Sequence, residues 1–142
     1  MFKKLNSTRL NEIVSPDVAI LLLRIGAACL VLTHGIPKLM RILDGNFGFS
    51  DPIGFGPTVS LFLVAFAEGI CAIFVLLGLW TRVALIPLII NFIVVVFVAH
   101  ANDPFGDKEL GLFFLITFVT LFLTGAGKYS LDGGLSKRNR RY

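Results

Sequence analysis

Four long apolar stretches, separated by short polar connections, dominate the chain. They run from about residue 17 to 39, 57 to 80, 82 to 100 and 110 to 126. Each is close to the ~20 residues that a helix needs to cross a hydrocarbon core of ~30 Å. The apolar runs are continuous and lack strict alternation, which favours helices over barrel strands. The pattern therefore predicts an all-α integral membrane protein, a four-helix bundle with up-down-up-down topology.

The ends of the stretches carry helix signals. Ser15 followed by Pro16 is typical of an N-cap with proline at the first helical position. The chain divides into an N-terminal segment (residues 1–16), a membrane domain (17–135) and a basic tail (136–142). The connection from about residue 45 to 56 is rich in Gly and Phe. We expect it to lie at the interface or to fold back over the mouth of the bundle.

Basic residues gather on one side of the predicted membrane. That side holds the N-terminal tail, the turn between the second and third stretches, and the C-terminal tail: Lys3, Lys4, Arg9, Arg82, Lys128, Lys137, Arg138, Arg140 and Arg141. The opposite side has only three basic residues, Lys38, Arg41 and Lys108, and it has five acids, namely Asp44, Asp51, Asp103, Asp107 and Glu109. The positive-inside rule then predicts that both termini are cytoplasmic, as an even number of spans requires.

Composition agrees with a membrane protein and narrows the chemistry. The chain is 56% hydrophobic and 15% charged, against ~25% charged in ordinary soluble domains. Its net charge of +4 comes from the two ends and does not indicate nucleic-acid binding. The polar, basic N-terminus does not resemble a cleavable signal peptide. Cys29 and Cys71 form no CxxC pair, which excludes a thiol redox motif and a zinc ribbon, and we predict no metal site.

Two charged residues, Arg24 and Glu68, lie inside the apolar stretches. A charge at bilayer depth costs ~2.5–3.5 kcal/mol on insertion scales, so such residues usually pair or face a wet cavity. Counting residues from each predicted span end places both near the middle of the membrane, level with Asn91 and Thr120. We therefore predict an Arg24–Glu68 ion pair with Asn91 and Thr120 as hydrogen-bond partners. The alternative is a purely structural pair, although interhelical polar contacts average only ~0.6 kcal/mol.

A second polar layer is expected further out. It contains His34, Lys38, His100 and Glu109, and on a helical wheel Gly35 and Lys38 share the face of Arg24. Asn91 and His100 are nine residues apart and point to opposite sides of an ideal helix, so we expect only Asn91 to face the interior. The same reasoning disfavours His34 and His100 as paired haem ligands. Plain alternatives are an interfacial His34, a snorkelling Lys38, and close helix packing at Gly35 and Gly69.

These residues resemble the DoxX-like family of small bacterial membrane proteins. The first stretch has Arg24, His34-Gly35 and Lys38 in order, and the second has Glu68-Gly69 and ends Gly78-Leu79-Trp80-Thr81-Arg82. The likeness covers roughly residues 17–135. It implies a four-helix protein of the bacterial inner membrane. Some relatives are described as quinone-linked oxidoreductase subunits, others as membrane partners of thiol and superoxide defence proteins.

The leading hypothesis is a redox-linked membrane component that binds a quinone head group. Glu68 would exchange protons, Arg24 would be its electrostatic partner and His34 an outer relay. Ligand contacts would come from the remaining polar-layer residues: Asn91, Lys38, Gly35, Gly69 and Thr120. The alternative is a non-catalytic scaffold or accessory subunit, and a small transporter is a weaker one. We expect the chain to contact the lipid bilayer. Redox partner proteins, other membrane subunits and further copies of the chain are candidate partners.

Overall fold

The computed structural model describes residues 15–139, with side chains up to residue 136, and this part of the chain is helical without strands. Four long helices and one short helix follow one another: α1 (Pro16–Leu43), α2 (Pro57–Leu77), α3 (Thr81–Ala99), α4 (Phe105–Thr124) and α5 (Leu131–Asn139). A π-helical turn, Phe66–Cys71, interrupts α2, and another, Val95–Ala99, ends α3. Both extreme ends of the chain, with Lys3, Lys4, Arg9, Arg140 and Arg141, lie outside the described residues.

The helix signals in the sequence are confirmed at the start of α1 but understate its length. The Ser15 hydroxyl accepts a hydrogen bond from the Asp17 N–H at 3.3 Å, and Pro16 is the first helical residue. The helix continues to Leu43, one turn beyond the predicted end, because Lys38 and Arg41 interrupt the apolar run that marked that end. Its 28 residues rise ~42 Å, more than a bilayer core of ~30 Å.

Three helices, α1, α2 and α3, are long and apolar enough to cross a membrane. The 20-residue α4 begins at Phe105, five residues before the predicted start, and its first turns carry Asp107, Lys108 and Glu109. α5 was not predicted at all. It follows two glycines with left-handed φ, Gly125 and Gly127, which turn the chain after α4.

One apolar core joins the four long helices. α1 packs on α2 and α4, and α3 packs on α2 and α4. The core side chains include fully buried residues from every long helix: Ala28, Val31, Ala72, Val75, Leu85, Leu88, Phe118 and Leu121. Large apolar side chains such as Leu22, Ile90, Ile116 and Leu123 point outward instead. An apolar outer surface is what contact with lipid requires. Both cysteines are free, Cys71 buried and Cys29 exposed.

α1 and α2 approach most closely where two glycines face each other's helix. A Cβ atom on Gly35 would lie 2.1 Å from the carbonyl oxygen of Glu68, and one on Gly69 would lie 2.5 Å from Leu39 Cδ1. No side chain larger than hydrogen fits at Gly35, because the obstacle is backbone. Both glycines therefore allow close helix packing, and their contact with a ligand stays a prediction.

Replacing Gly35 by alanine should destabilise the protein by about 1–3 kcal/mol or more, because the added methyl forces α1 and α2 apart. Gly26→Ala on the same helix is the matched control, since a Cβ there meets nothing within 4 Å. That change should be neutral or stabilise by up to ~1 kcal/mol. Thermal unfolding of both variants in detergent measures the difference. Equal stability of the two variants would contradict the close crossing.

Candidate functional site

The carboxylate of Glu68 lies at the crossing of α1 and α2 and is 4% exposed. Lys38 on α1 forms an ion pair with its Oε2. The Asn91 amide on α3 donates to its Oε1 at 2.8 Å. We call these three residues the carboxylate cluster. It draws one polar group from each of three helices, and both carboxylate oxygens have a partner.

Arg24 is not the partner of Glu68, so the predicted ion pair is wrong. Gly35, which packs on Glu68, is eleven residues beyond Arg24, a rise of ~16 Å along α1. The depth count failed because α1 is about 12 Å longer than the bilayer core that the count assumed. Arg24 was counted from the start of α1 and Glu68 from the start of α2, at the opposite side of the membrane. The distance between them along the helices is therefore longer than the count indicated. Lys38, for which snorkelling to the interface was one alternative, supplies the positive charge beside Glu68 instead.

The π-helical turns explain how Glu68 and His100 reach their positions. Glu68 lies within the first π turn, and the second immediately precedes His100. A π turn closes i→i+5 hydrogen bonds and turns less per residue than an α-helix. A wheel drawn for an ideal helix therefore fails beyond Val94. Asn91 and His100, predicted to point apart, line the same cavity, and the expectation that His100 faces away is wrong.

A cavity of about 320 Å³ opens beside the carboxylate cluster, and we call it the outer cavity. Its polar lining comes from the four long helices, from the residue after α3 and from the loop before α2: His34, Lys38, Ser50, Glu68, Asn91, His100 and Asp107. Two packed rings, Phe92 and Phe114, with centroids 5.1 Å apart, form part of its apolar wall. His34 is an exposed residue on its rim.

The loop between α1 and α2 lies over this cavity, in agreement with the prediction that it folds back over the mouth of the bundle. Phe49, Ser50 and Pro52 line the outer cavity. Asp51 holds the loop, because its carboxylate accepts hydrogen bonds from the Ser60 hydroxyl at 2.8 Å and from three backbone N–H groups at residues 54–56. The Ser60 bond first, and then these backbone bonds, hold the pKa of Asp51 below its usual value.

Arg24 belongs to a separate polar group at the other end of the helices. Its side chain is 2% exposed and donates to the carbonyl oxygens of Ala126 and Tyr129, both at 2.8 Å. The Asp17 carboxylate accepts from the Lys128 N–H at 2.8 Å. These bonds fasten the segment after α4 to α1, and we call this segment, residues 125–132, the C-terminal latch.

Asp132 ties the latch to the start of α3. Its carboxylate accepts from the Trp80 N–H at 2.8 Å and from the N–H and hydroxyl of Thr81, both at 2.9 Å. Burial pushes the pKa of Asp132 upward, but the hydrogen bonds from Thr81 and Trp80 and the nearby Arg24 charge outweigh it, so the net pKa is lowered. Asp132 thus serves as the N-terminal cap that α3 lacks in its own sequence.

Sequence reasoning missed Asp132 and misplaced Thr120. Asp132 is the only acid after Glu109, a signal that the basic surroundings concealed. Thr120 is exposed and its hydroxyl donates to the Ile116 carbonyl of its own helix at 2.8 Å. The prediction that Thr120 joins the polar layer is therefore wrong; the buried threonine of α4 is Thr117. Among the residues with described side chains, no group of three His, Cys, Asp or Glu could hold a metal ion.

Comparisons with known proteins agree with the resemblance seen in the sequence. The family model described as DoxX matches residues 19–101. The chain is 31% identical over 136 residues to the uncharacterized membrane protein Rv3486 of Mycobacterium tuberculosis, an alignment covering 84% of this chain and 83% of that protein. No solved structure matches the chain significantly.

The carboxylate cluster predicts a specific pattern of energetic coupling. Lys38→Met and Glu68→Gln should couple by about 1 kcal/mol or more, because each single change leaves its buried partner uncompensated. Arg24→Lys and Glu68→Gln should be additive within ~0.5 kcal/mol, since they are far apart and share no partner. Unfolding free energies of the single and double variants in detergent give both numbers. Strong coupling of Arg24 with Glu68 would contradict the assignment.

The latch should depend on pH through Asp132. Because its folded pKa is lowered, the carboxylate stabilises the fold above its unfolded pKa of ~3.9, and this contribution is lost as the pH falls through the folded value. Asp132→Ala should cost about 1 kcal/mol at neutral pH, as the loss of a helix cap does.

Thermal unfolding of wild type and Asp132→Ala across the acid range tests this. The difference in melting temperature should shrink once the pH drops below ~3.9. The exposed Asp44→Ala is the control and should change little at any pH. A difference between wild type and Asp132→Ala that persists unchanged at low pH would refute the role of the charge.

Proposed function

The chain is a member of the DoxX family of membrane proteins, and from this premise we propose that it is a redox-linked membrane component that binds a quinone head group in the outer cavity. The observation that carries the proposal is the buried carboxylate of Glu68, held by Lys38 and Asn91 on the wall of that cavity. A pocket into which a few polar groups converge is the default candidate for a binding site.

The outer cavity fits the chemistry of a quinone head group. Such a head group is a flat ring with two oxygens that accept hydrogen bonds. Phe92 and Phe114 form part of its apolar wall, and aromatic rings pack against one another in offset or tilted arrangements. The Lys38 ammonium has three N–H donors and the structure assigns one of them to Glu68, so others can reach a ligand oxygen. His34 and His100 add further donors at the rim.

Glu68 is the residue suited to accept a proton from the ligand. Oxidation of a quinol releases two electrons and two protons. The electrons would pass to a redox partner protein, one proton would go to the Glu68 carboxylate and the other to water at the cavity mouth. Lys38 stabilises the carboxylate before it takes the proton. The polar way out leads past His34, His100 and Asp107 at the rim. In the other direction the fully buried core residues Ala28, Val31 and Val75 separate the cavity from Arg24. Proton exchange would therefore occur on the side of the cavity mouth.

We further propose that all four long helices span the bacterial inner membrane with both termini in the cytoplasm. The 20 residues of α4 rise ~30 Å, and its charged residues lie at one end, where they can reach the interface. Arg82 and Lys128 lie at the end of the latch, whereas Asp51, Asp103 and Asp107 lie at the end of the cavity. Positive-inside then directs the outer cavity away from the cytoplasm.

A non-catalytic scaffold or accessory subunit is the second candidate function. The latch supports it, since residues 125–132 are held by hydrogen bonds from Arg24 and include the exposed Tyr129, and their Asp132 is bonded to the N–H of the exposed Trp80. In that case the carboxylate cluster would only hold α1, α2 and α3 together. Electron partners, other subunits or copies of the chain would then supply any activity.

Titration calorimetry of the purified protein with a tail-free benzoquinone and its quinol tests the proposal. Wild type should bind both forms. Glu68→Gln should raise the dissociation constant of the quinol at least about tenfold, because a hydrogen bond from a quinol O–H to the charged carboxylate is worth ~1.5–3 kcal/mol. Repeating the titration in buffers of different ionisation enthalpy measures the protons exchanged. That exchange should disappear in Glu68→Gln.

Thr120→Ala serves as the control, because Thr120 is exposed and lies outside the cavity, and its affinity should match that of wild type. If wild type binds neither form of the head group while Glu68→Gln lowers only stability, the redox proposal fails and the scaffold candidate stands.

A further inference from the structure

A second cavity, of about 350 Å³, lies between the start of α3 and the C-terminal latch, and we call it the latch cavity. Arg82 and Val83 line it from α3, and residues 125–127 line it from the latch. It shares no lining residue with the outer cavity. Its chemistry is therefore separate from that of Glu68.

The guanidinium of Arg82 is fixed in the wall of the latch cavity. Its Nε donates to the Phe122 carbonyl oxygen at 3.1 Å and its Nη2 to the Leu123 carbonyl oxygen at 3.4 Å. Among the side chains that the structure describes, no carboxylate lies within ion-pair distance of Arg82. Three of its five N–H groups remain after these two bonds, enough for a two-point contact with an anionic group.

The latch adds backbone donors to the same cavity. The N–H groups of Ala126 and Gly127 have no acceptor within the described part of the chain. The φ angle is negative at Ala126 and 74° at Gly127, and such a change between neighbours turns successive N–H groups into a concavity that binds anions. This backbone lies close to the guanidinium, since a Cβ added at Gly125 would be 3.5 Å from Arg82 Nη2.

Asp132 also lines the latch cavity, but its charge is already compensated. Its carboxylate accepts three hydrogen bonds, one from Trp80 and two from Thr81. The buried Arg24 is near enough to help lower the pKa of Asp132. Arg82 therefore supplies the positive charge that has no partner among the described residues of this cavity.

The position of the latch cavity along α3 relates it to the membrane surface. α3 is long and apolar enough to cross a membrane, and Arg82 is its second residue, so a span beginning at Thr81 places the guanidinium level with the lipid head groups. Trp80 lines the same cavity and is 67% exposed. Tryptophan is enriched at this depth, between the head groups and the acyl chains.

We propose that the latch cavity binds the phosphate of an anionic phospholipid. Arg82 and the N–H groups of Ala126 and Gly127 contact the phosphate, and Trp80 contacts the glycerol and the first acyl carbons. The ligand class is a phospholipid without a cation in its head group, because a second positive charge would face Arg82. The proposal uses neither Glu68 nor the outer cavity, so it does not depend on quinone binding.

Native mass spectrometry of the full chain in detergent, titrated with dioleoyl phosphatidylglycerol or dioleoyl phosphatidylcholine, tests the proposal. Wild type should bind phosphatidylglycerol at least about tenfold more tightly than phosphatidylcholine. Arg82→Gln should weaken phosphatidylglycerol binding about tenfold, because a charge-assisted contact is lost. Lys108→Gln is the matched control: Lys108 also donates to a backbone carbonyl, that of Ala101 at 3.1 Å, and it lies at the opposite end.

A soluble phosphate is distinguished from a lipid by a second titration. Calorimetry with glycerol 1-phosphate measures the phosphate contact without acyl chains. Trp80 has a φ of 45°, a conformation that asparagine tolerates, so Trp80→Asn removes the ring and keeps the backbone. This variant should weaken binding of phosphatidylglycerol and leave the affinity for glycerol 1-phosphate unchanged.

Three results would overturn the proposal. They are equal affinity of wild type for the two lipids, unchanged phosphatidylglycerol binding in Arg82→Gln, and glycerol 1-phosphate that binds as tightly as the lipid with no effect of Trp80→Asn. The last would assign the cavity to a soluble phosphate. Melting temperatures show whether each variant is folded. If Arg82→Gln does not fold, Arg82→Lys decides, since lysine keeps the charge but loses the two-point geometry, and wild-type affinity in that variant contradicts the assignment.

Discussion

The carboxylate of Glu68 organises the outer half of this protein. It lies where α1 and α2 are so close that only glycine fits at position 35. Its hydrogen-bond partners, Lys38 and Asn91, come from α1 and α3. A buried carboxylate without partners would cost several kcal/mol, so α1, α2 and α3 must keep their register for Lys38 and Asn91 to reach it. The close packing at Gly35 and the ion pair therefore require each other. The outer cavity is the space that this arrangement leaves beside α4.

The carboxylate cluster and the C-terminal latch have different tasks because an apolar core separates them. Arg24 and Asp132 hold backbone groups of the latch and the first turn of α3, and all of these contacts are within the chain. Glu68, by contrast, lines a cavity with room for a ligand. The proposed function places its chemistry at the end of the cavity, while the buried Arg24 has its hydrogen-bond partners in the latch at the other end.

Much of the fold follows from the sequence, because the relevant physics is local or one-dimensional. Apolar length predicts helices that can cross a membrane, and Ser15-Pro16 predicts the start of α1. Buried charges at Arg24 and Glu68, and a polar partner at Asn91, follow from the cost of polar groups in an apolar environment. The partner of Glu68 does not follow from the sequence. The depth of each residue was counted from the edge of a bilayer core of assumed thickness, and the 28 residues of α1 are longer than that core.

By itself, the sequence determined that the chain is an all-helical membrane protein with ionisable residues buried among apolar ones and a likeness to the DoxX family. Only the tertiary structure decided which charges meet, because that depends on where helices cross and on how far each has turned there. The π turns at Phe66–Cys71 and Val95–Ala99 change the direction in which the following side chains point, and the hydrophobic periodicity of the sequence does not predict these turns. Lys38 replaced Arg24 beside Glu68, and His100 joined the cavity, for this geometric reason.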